Sequence, residues 1–80
     1  MMEETKVHKK VEEIFRREFS NVPKLNEDIS SKDIADWDSL RHVMLITEIE
    51  KEFGISFDLE DMLSMSTFGE ICLNVSKKIQ

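Results

Sequence analysis

Asp36-Trp37-Asp38-Ser39-Leu40-Arg41-His42-Val43-Met44-Leu45-Ile46-Thr47-Glu48-Ile49-Glu50-Lys51-Glu52-Phe53-Gly54 is the stretch that decides the fold. Asp38 and Ser39 are good helix-starting residues, because a short side-chain oxygen satisfies a first-turn N–H that has no intrahelical acceptor. The apolar-periodic run behind them continues to Phe53, and Gly54 suits the left-handed position that ends a helix. At about 100° per residue, Leu45, Ile46, Ile49 and Phe53 gather on one face, whereas Leu40 and Met44 point nearly opposite and Val43 sits at the edge. A core needs only one of these faces. Leu40, Val43 and Met44 are therefore candidates for a contact surface beside Ser39, ringed by Arg41, Glu48 and Lys51, although isolated apolar residues are ordinary on surfaces.

Working outward, Val7, Val11, Ile14 and Phe15 recur at i, i+4, i+7 and i+8, with Phe19 close to the same face, and predict an amphipathic helix from Glu3 to Phe19. From Ser20 to Trp37 the pattern breaks at Pro23, Asn26-Glu27-Asp28 and Ser30-Ser31. A connection this long is unusual unless ordered, and Ile29, Ile34 and Trp37 read as its anchors. Beyond Gly54, Asp58 can cap a short turn through Glu60, Asp61 and Met62. Thr67-Phe68-Gly69-Glu70 has the spacing of a capping box. Phe68, Ile71, Cys72, Val75 and Ile79 form the inner stripe of a last helix, with Lys77 and Lys78 favourably placed at its C-terminal end. The expected fold is all-α, a small four-helix bundle of three longer helices plus one short helix, with a long loop between the first and second. Its expected core includes Val11, Phe15, Leu45, Ile46, Ile49, Phe53, Phe68, Ile71 and Val75, in a single domain over residues 1–80.

Composition bounds the function. The 80 residues carry 11 Lys+Arg against 17 Asp+Glu, a net charge of −6. No apolar run approaches the roughly 20 residues that span a bilayer, and Met1-Met2-Glu3-Glu4 lacks a basic segment followed by an apolar one, so a cytoplasmic protein without a membrane span is expected. The single Cys72 makes no internal disulfide and, with only His8 and His42, assembles no Cys-based zinc site, so no intrinsic metal is expected. A chain of this size buries only about 60% of its unfolded surface, which leaves little room for a deep catalytic cleft and favours a non-catalytic, monomeric module. Residues 25–70 hold twelve acidic side chains against Lys32, Arg41 and Lys51, a field that repels nucleic acid and suits partners bearing Lys or Arg.

Ser39 falls where unpaired N–H groups and the helix dipole stabilise a phosphate; its ordinary reading is a helix cap. A serine hydrolase could pair Ser39 with His42 at i and i+3, but there is no Gly-x-Ser-x-Gly elbow or oxyanion loop. Asp33, Asp36 and Asp38 lack the alternating spacing, central Gly and terminal Glu of a calcium loop.

Trp37-Asp38-Ser39-Leu40, then Val43-Met44-Leu45-Ile46, Glu50-Lys51-Glu52-Phe53-Gly54-Ile55 and Met65-Ser66-Thr67-Phe68 together resemble the acyl carrier protein family, over about Val7 to Ile79. The resemblance implies that Ser39 bears 4′-phosphopantetheine, taken from coenzyme A by a phosphopantetheinyl transferase (a holo-carrier synthase). Asp38 and Leu40 would shape that attachment motif. It implies acyl cargo held as a thioester and, as partners, an acyl-loading ligase or acyltransferase and downstream synthase enzymes. They would be met through Arg41, Val43, Met44, Glu48, Glu60 and Asp61. Carriers of primary fatty-acid synthesis typically read Gly-Ala-Asp-Ser-Leu-Asp with acidic residues on the second helix; here Asp36-Trp37 precede the motif, Arg41 follows Leu40 and Met44 takes a usually acidic position. A specialised, free-standing carrier is expected, serving polyketide-like, modified-sugar or aminoacyl-transfer chemistry. An aminoacyl or peptidyl carrier and an unmodified helical interaction domain remain the alternatives.

Overall fold

In the computed structural model, which describes residues 4–79, four helices follow in order: α1 (Glu4–Glu18), α2 (Ser39–Phe53), α3 (Leu59–Ser64) and α4 (Phe68–Ile79). The four-helix architecture with one short member is the one expected. α1 ends one residue before the predicted Phe19, although the Phe19 N–H still donates to the Phe15 carbonyl at 2.9 Å. The predicted start at Glu3 lies outside the described residues.

α1 packs against both α2 and α4. Its buried stripe of Val7, Val11, Ile14, Phe15 and Phe19 is the one read from the periodicity. Phe15 is the hub, making edge-to-face contacts with Phe19, Trp37 and Phe68 at centroid distances of 5.6, 5.2 and 5.3 Å. One α1 side chain thus touches the long loop and α4 together. The predicted core is buried except for Phe53, which is only partly buried at the edge of the cluster because it occupies the last turn of α2. Ile34, Phe57 and Met65 join the core from segments without helical periodicity. The ion pairs Lys10–Glu52 and Arg17–Glu52, at 3.7 and 3.6 Å, link α1 to α2 across solvent, where such pairs contribute about 0–1 kcal/mol.

The residue 19–38 connection is ordered by its anchors: Ile29, Ile34 and Trp37 are all buried. Its backbone also caps the start of α4. The Phe68 N–H donates to the Ile29 carbonyl at 2.9 Å and the Gly69 N–H to the Glu27 carbonyl at 3.1 Å, so the loop satisfies first-turn donors that a helix cannot satisfy itself. Gly69 permits this approach, since a Cβ there would lie 2.8 Å from Glu27 Cβ. The predicted Thr67–Glu70 capping box forms in one direction only. The Glu70 N–H donates to Thr67 Oγ1 at 3.1 Å, but the Glu70 carboxylate accepts the Ser66 and Thr67 hydroxyls, while Thr67 pairs with Ser30 in an antiparallel bridge. Asp58 and Asp61, in contrast, form a reciprocal box at the start of α3. Gly54 ends α2 in the left-handed conformation, φ 66°, with its N–H donating to the Glu50 carbonyl.

Candidate functional site

The start of α2 is built by Asp38, whose carboxylate accepts the Arg41 N–H at 2.8 Å. Asp38 is therefore the N-cap and Ser39 the first helical residue, so the ordinary reading of Ser39 as the cap is replaced. The Ser39 hydroxyl is left exposed at a helix N-terminus, where first-turn N–H groups and the dipole favour an attached or bound phosphate.

Just before the cap, Asp36 ties the end of α1 to the start of α2. The Ser20 hydroxyl and N–H donate to its Oδ2 at 2.6 and 3.3 Å. These hydrogen bonds, aided by the nearby Arg41 charge, hold the Asp36 carboxyl below its ordinary value of 3.8. Arg41 also directs Nη1 at the Glu18 carbonyl, 3.4 Å away, at the negative end of α1.

Beside Ser39 opens a cleft of about 490 Å³ between the first turns of α2 and the short α3. Trp37, His42 and Met65 contribute to its wall, and Val43, Leu59, Met62 and Leu63 add mostly apolar surface. Asp38 and Ser39, both exposed, belong to the same lining. Leu59 and Leu63 are 70% and 76% exposed, although both are large and apolar.

His42 holds the two sides together. Trp37 Nε1–H, a donor only, lies 3.0 Å from His42 Nδ1, so Nδ1 accepts and the ring proton resides on Nε2. Nε2–H then donates to the Met62 carbonyl at 3.0 Å. The imidazole also stacks on the indole, with centroids 5.9 Å apart and planes 24° apart. Both ring nitrogens are thereby engaged away from Ser39, which removes the geometric basis for pairing the two residues as nucleophile and base.

The remaining candidates separate into three groups. Leu40 and Met44 are exposed on the outer side of α2, while Val43 turns into the cleft. Glu48 sits further along α2 in a charged groove with Arg17, Glu18, Lys51 and Glu52. Glu60 is exposed on α3, whereas Asp61 is committed to the α3 box and to an ion pair with Lys78 at 3.6 Å. Sequence reading missed the α3 side of the cleft. Leu59, Met62 and Leu63 do fall at i, i+3 and i+4, a signal that was present but spans a single helical turn. The His42 linkage gives no periodic signal at all, because Trp37 precedes the helix.

No described helix is long and apolar enough to cross a membrane. No curated protein sequence matches the chain significantly. Residues 9–75 match the profile of the family described as "Phosphopantetheine attachment site". Among solved structures, the chain is similar to the holo acyl carrier protein of Geobacter metallireducens, with 31% identity, TM-score 0.83, and coverage of 91% of this chain and 85% of that one. A proposed acyl carrier protein of Mycobacterium tuberculosis shares the fold at 24% identity and TM-score 0.80, over 89% of this chain and 96% of that one. With the profile spanning most of the chain and a holo carrier matching it nearly end to end, the protein belongs to the acyl carrier protein family of phosphopantetheine-bearing carriers.

Proposed function

We propose that residues 1–80 form one cytoplasmic, monomeric carrier domain in which Ser39 is the attachment site for 4′-phosphopantetheine, and that the chain carries acyl groups rather than transforming them. The observation that carries this reading is the position of Ser39, exposed as the first residue of α2 and lining a largely apolar cleft. The site fits the group: a phosphodiester on Ser39 Oγ would lie at a helix N-terminus, with Asp38 occupied in capping. When bound, the arm supplies a terminal thiol that holds an acyl group as an activated thioester at high effective concentration beside a docked enzyme.

The chain's own residues do the rest. Asp38 fixes the first turn and therefore the direction of Ser39 Oγ. Leu40 and Met44 on the outer side of α2 and Val43 in the cleft offer apolar surface near it, and Arg41, Glu48, Glu60 and Asp61 offer charged groups from separate patches, for the phosphopantetheinyl transferase, an acyl-loading ligase or acyltransferase, and downstream synthases. The cleft walls formed by Val43, Leu59 and Leu63 shelter a short apolar acyl chain from water. Arg41 and Met44, at positions that are usually acidic in fatty-acid carriers, support a dedicated pathway over general fatty-acid synthesis, because a basic partner patch meets a like charge and an apolar surface there.

The test is intact mass before and after incubation with coenzyme A, Mg²⁺ and a broad-specificity phosphopantetheinyl transferase, followed by peptide mapping. One phosphopantetheine on Ser39 is expected. No gain by folded, unmodified protein beside a working control carrier would favour an unmodified interaction domain.

A further inference from the structure

We infer that His42 is a specificity-determining residue: by bridging Trp37 to the Met62 carbonyl it latches α3 onto the first turns of α2 and so limits the size of the apolar group that the cleft admits. The inference rests on the sheltering role proposed for the cleft, and its geometric part stands without it.

Three observations carry it. First, α3 is short and none of its residues is fully buried: Met62 alone of them packs, partly buried, against the core, and the buried Phe57 and Met65 anchor the chain only on either side of the helix. The Met62 carbonyl lies in this helix and its N–H donates to Asp58, which leaves the His42 contact as a direct hydrogen bond from α2 to α3. Second, the latch is anchored. Trp37 is buried against Phe15 and stacks on the imidazole, so the Nδ1 end of the ring is fixed by the core while the Nε2 end reaches α3. Third, Trp37, His42 and Met62 all line the cleft beside Ser39. The width of the cleft is thus set by a polar side chain whose donor and acceptor are both used. A longer or bulkier apolar group would have to break the Met62 bond and leave a carbonyl without its partner.

The latch is tested on unloaded protein first, by amide hydrogen exchange across α3 and by nitrogen NMR of the His42 ring. Wild type is expected to show Nδ1 unprotonated and Nε2 protonated. His42→Leu, which fills space but bonds neither partner, should speed exchange across α3 by about fivefold, the change that one lost net hydrogen bond corresponds to. His42→Gln, which can accept from Trp37 and donate to the Met62 carbonyl, should restore protection. Trp37→Phe provides a second break that leaves His42 in place, and should loosen α3 in the same direction. Unchanged α3 exchange in His42→Leu, in a variant that melts cooperatively, would overturn the latch.

Specificity is then read on holo protein loaded with butyryl, octanoyl or dodecanoyl groups, as the rate at which hydroxylamine cleaves each thioester. Protection in wild type should stop increasing at a limiting chain length, His42→Leu should move that limit to longer chains, and His42→Gln should return it. A loosened α3 with an unmoved limit would overturn the specificity role. Absence of any chain-length dependence in wild type would refute sheltering and the specificity role together, while the exchange data still decide the latch.

Discussion

Gly69→Ala tests whether the long loop is held by the backbone contact described above. On propensity alone the change favours the helix by up to about 1 kcal/mol. Against this, the new Cβ would lie 2.8 Å from Glu27 Cβ, 3.0 Å from its carbonyl oxygen and 3.1 Å from its Cα. These are backbone and near-backbone atoms, so relief requires the loop to move as a unit. Overpacking of this kind costs about 1–3 kcal/mol. The shift also weakens the hydrogen bonds from Gly69 N–H to Glu27 and from Phe68 N–H to Ile29, each with a net contribution of about 1 kcal/mol. The opposing gain leaves an expected net loss of about 1–3 kcal/mol, which for a domain of this size lowers the melting temperature by about 4–8 °C per kcal/mol. Urea denaturation followed by circular dichroism measures it, and the fluorescence of Trp37, the only tryptophan, reports whether the loop has moved. Glu27→Gly combined with Gly69→Ala should cost less than the sum of the two single changes, since one of the clashing atoms is gone. A Gly69→Ala variant as stable as wild type or more so, with unchanged Trp37 fluorescence, would refute the reasoning.

Ser39→Ala should fold with less than about 1 kcal/mol of lost stability, because the capping carboxylate belongs to Asp38, yet it should gain no phosphopantetheine mass; persistent labelling would move the attachment site elsewhere. Asp36→Ala should be destabilised at neutral pH relative to wild type. Since the folded carboxyl is held below 3.8, its contribution is present above that value and is lost as pH falls through the lower folded value, so the two urea midpoints should converge on acidification; a gap that widens instead would contradict the Ser20 tie. Met44→Glu restores an acidic side chain on the exposed side of α2 without disturbing the Arg41 contact to the Glu18 carbonyl. It should raise turnover with fatty-acid synthase enzymes, and unchanged or lower turnover would count against the selectivity argument.

The helices, the α1 stripe from Val7 to Phe19, a helix start at Asp38-Ser39, the left-handed stop at Gly54 and the two opposed faces of α2 were all legible in the sequence, which did not say that Asp38 and not Ser39 is the cap. Each of these is a local matter: periodicity and capping chemistry act within a few residues, and they survive in any tertiary setting that buries one face. The motif around Ser39, on which the proposed attachment site rests, was legible for the same reason, as a run of neighbours in the chain. The contacts between elements distant in sequence were not legible in this way. Gly69 could be seen as a helix-start glycine, but the carbonyl of Glu27 that requires it is 42 positions away. Phe57 and Met65 became core because α3 folds back, although neither belongs to a periodic run. His42 looked like a side chain one turn from a serine. Only with α3 in place does its second nitrogen find the Met62 carbonyl, because hydrogen-bond partners are chosen by proximity in space, which the spacing of residues along a helix cannot encode.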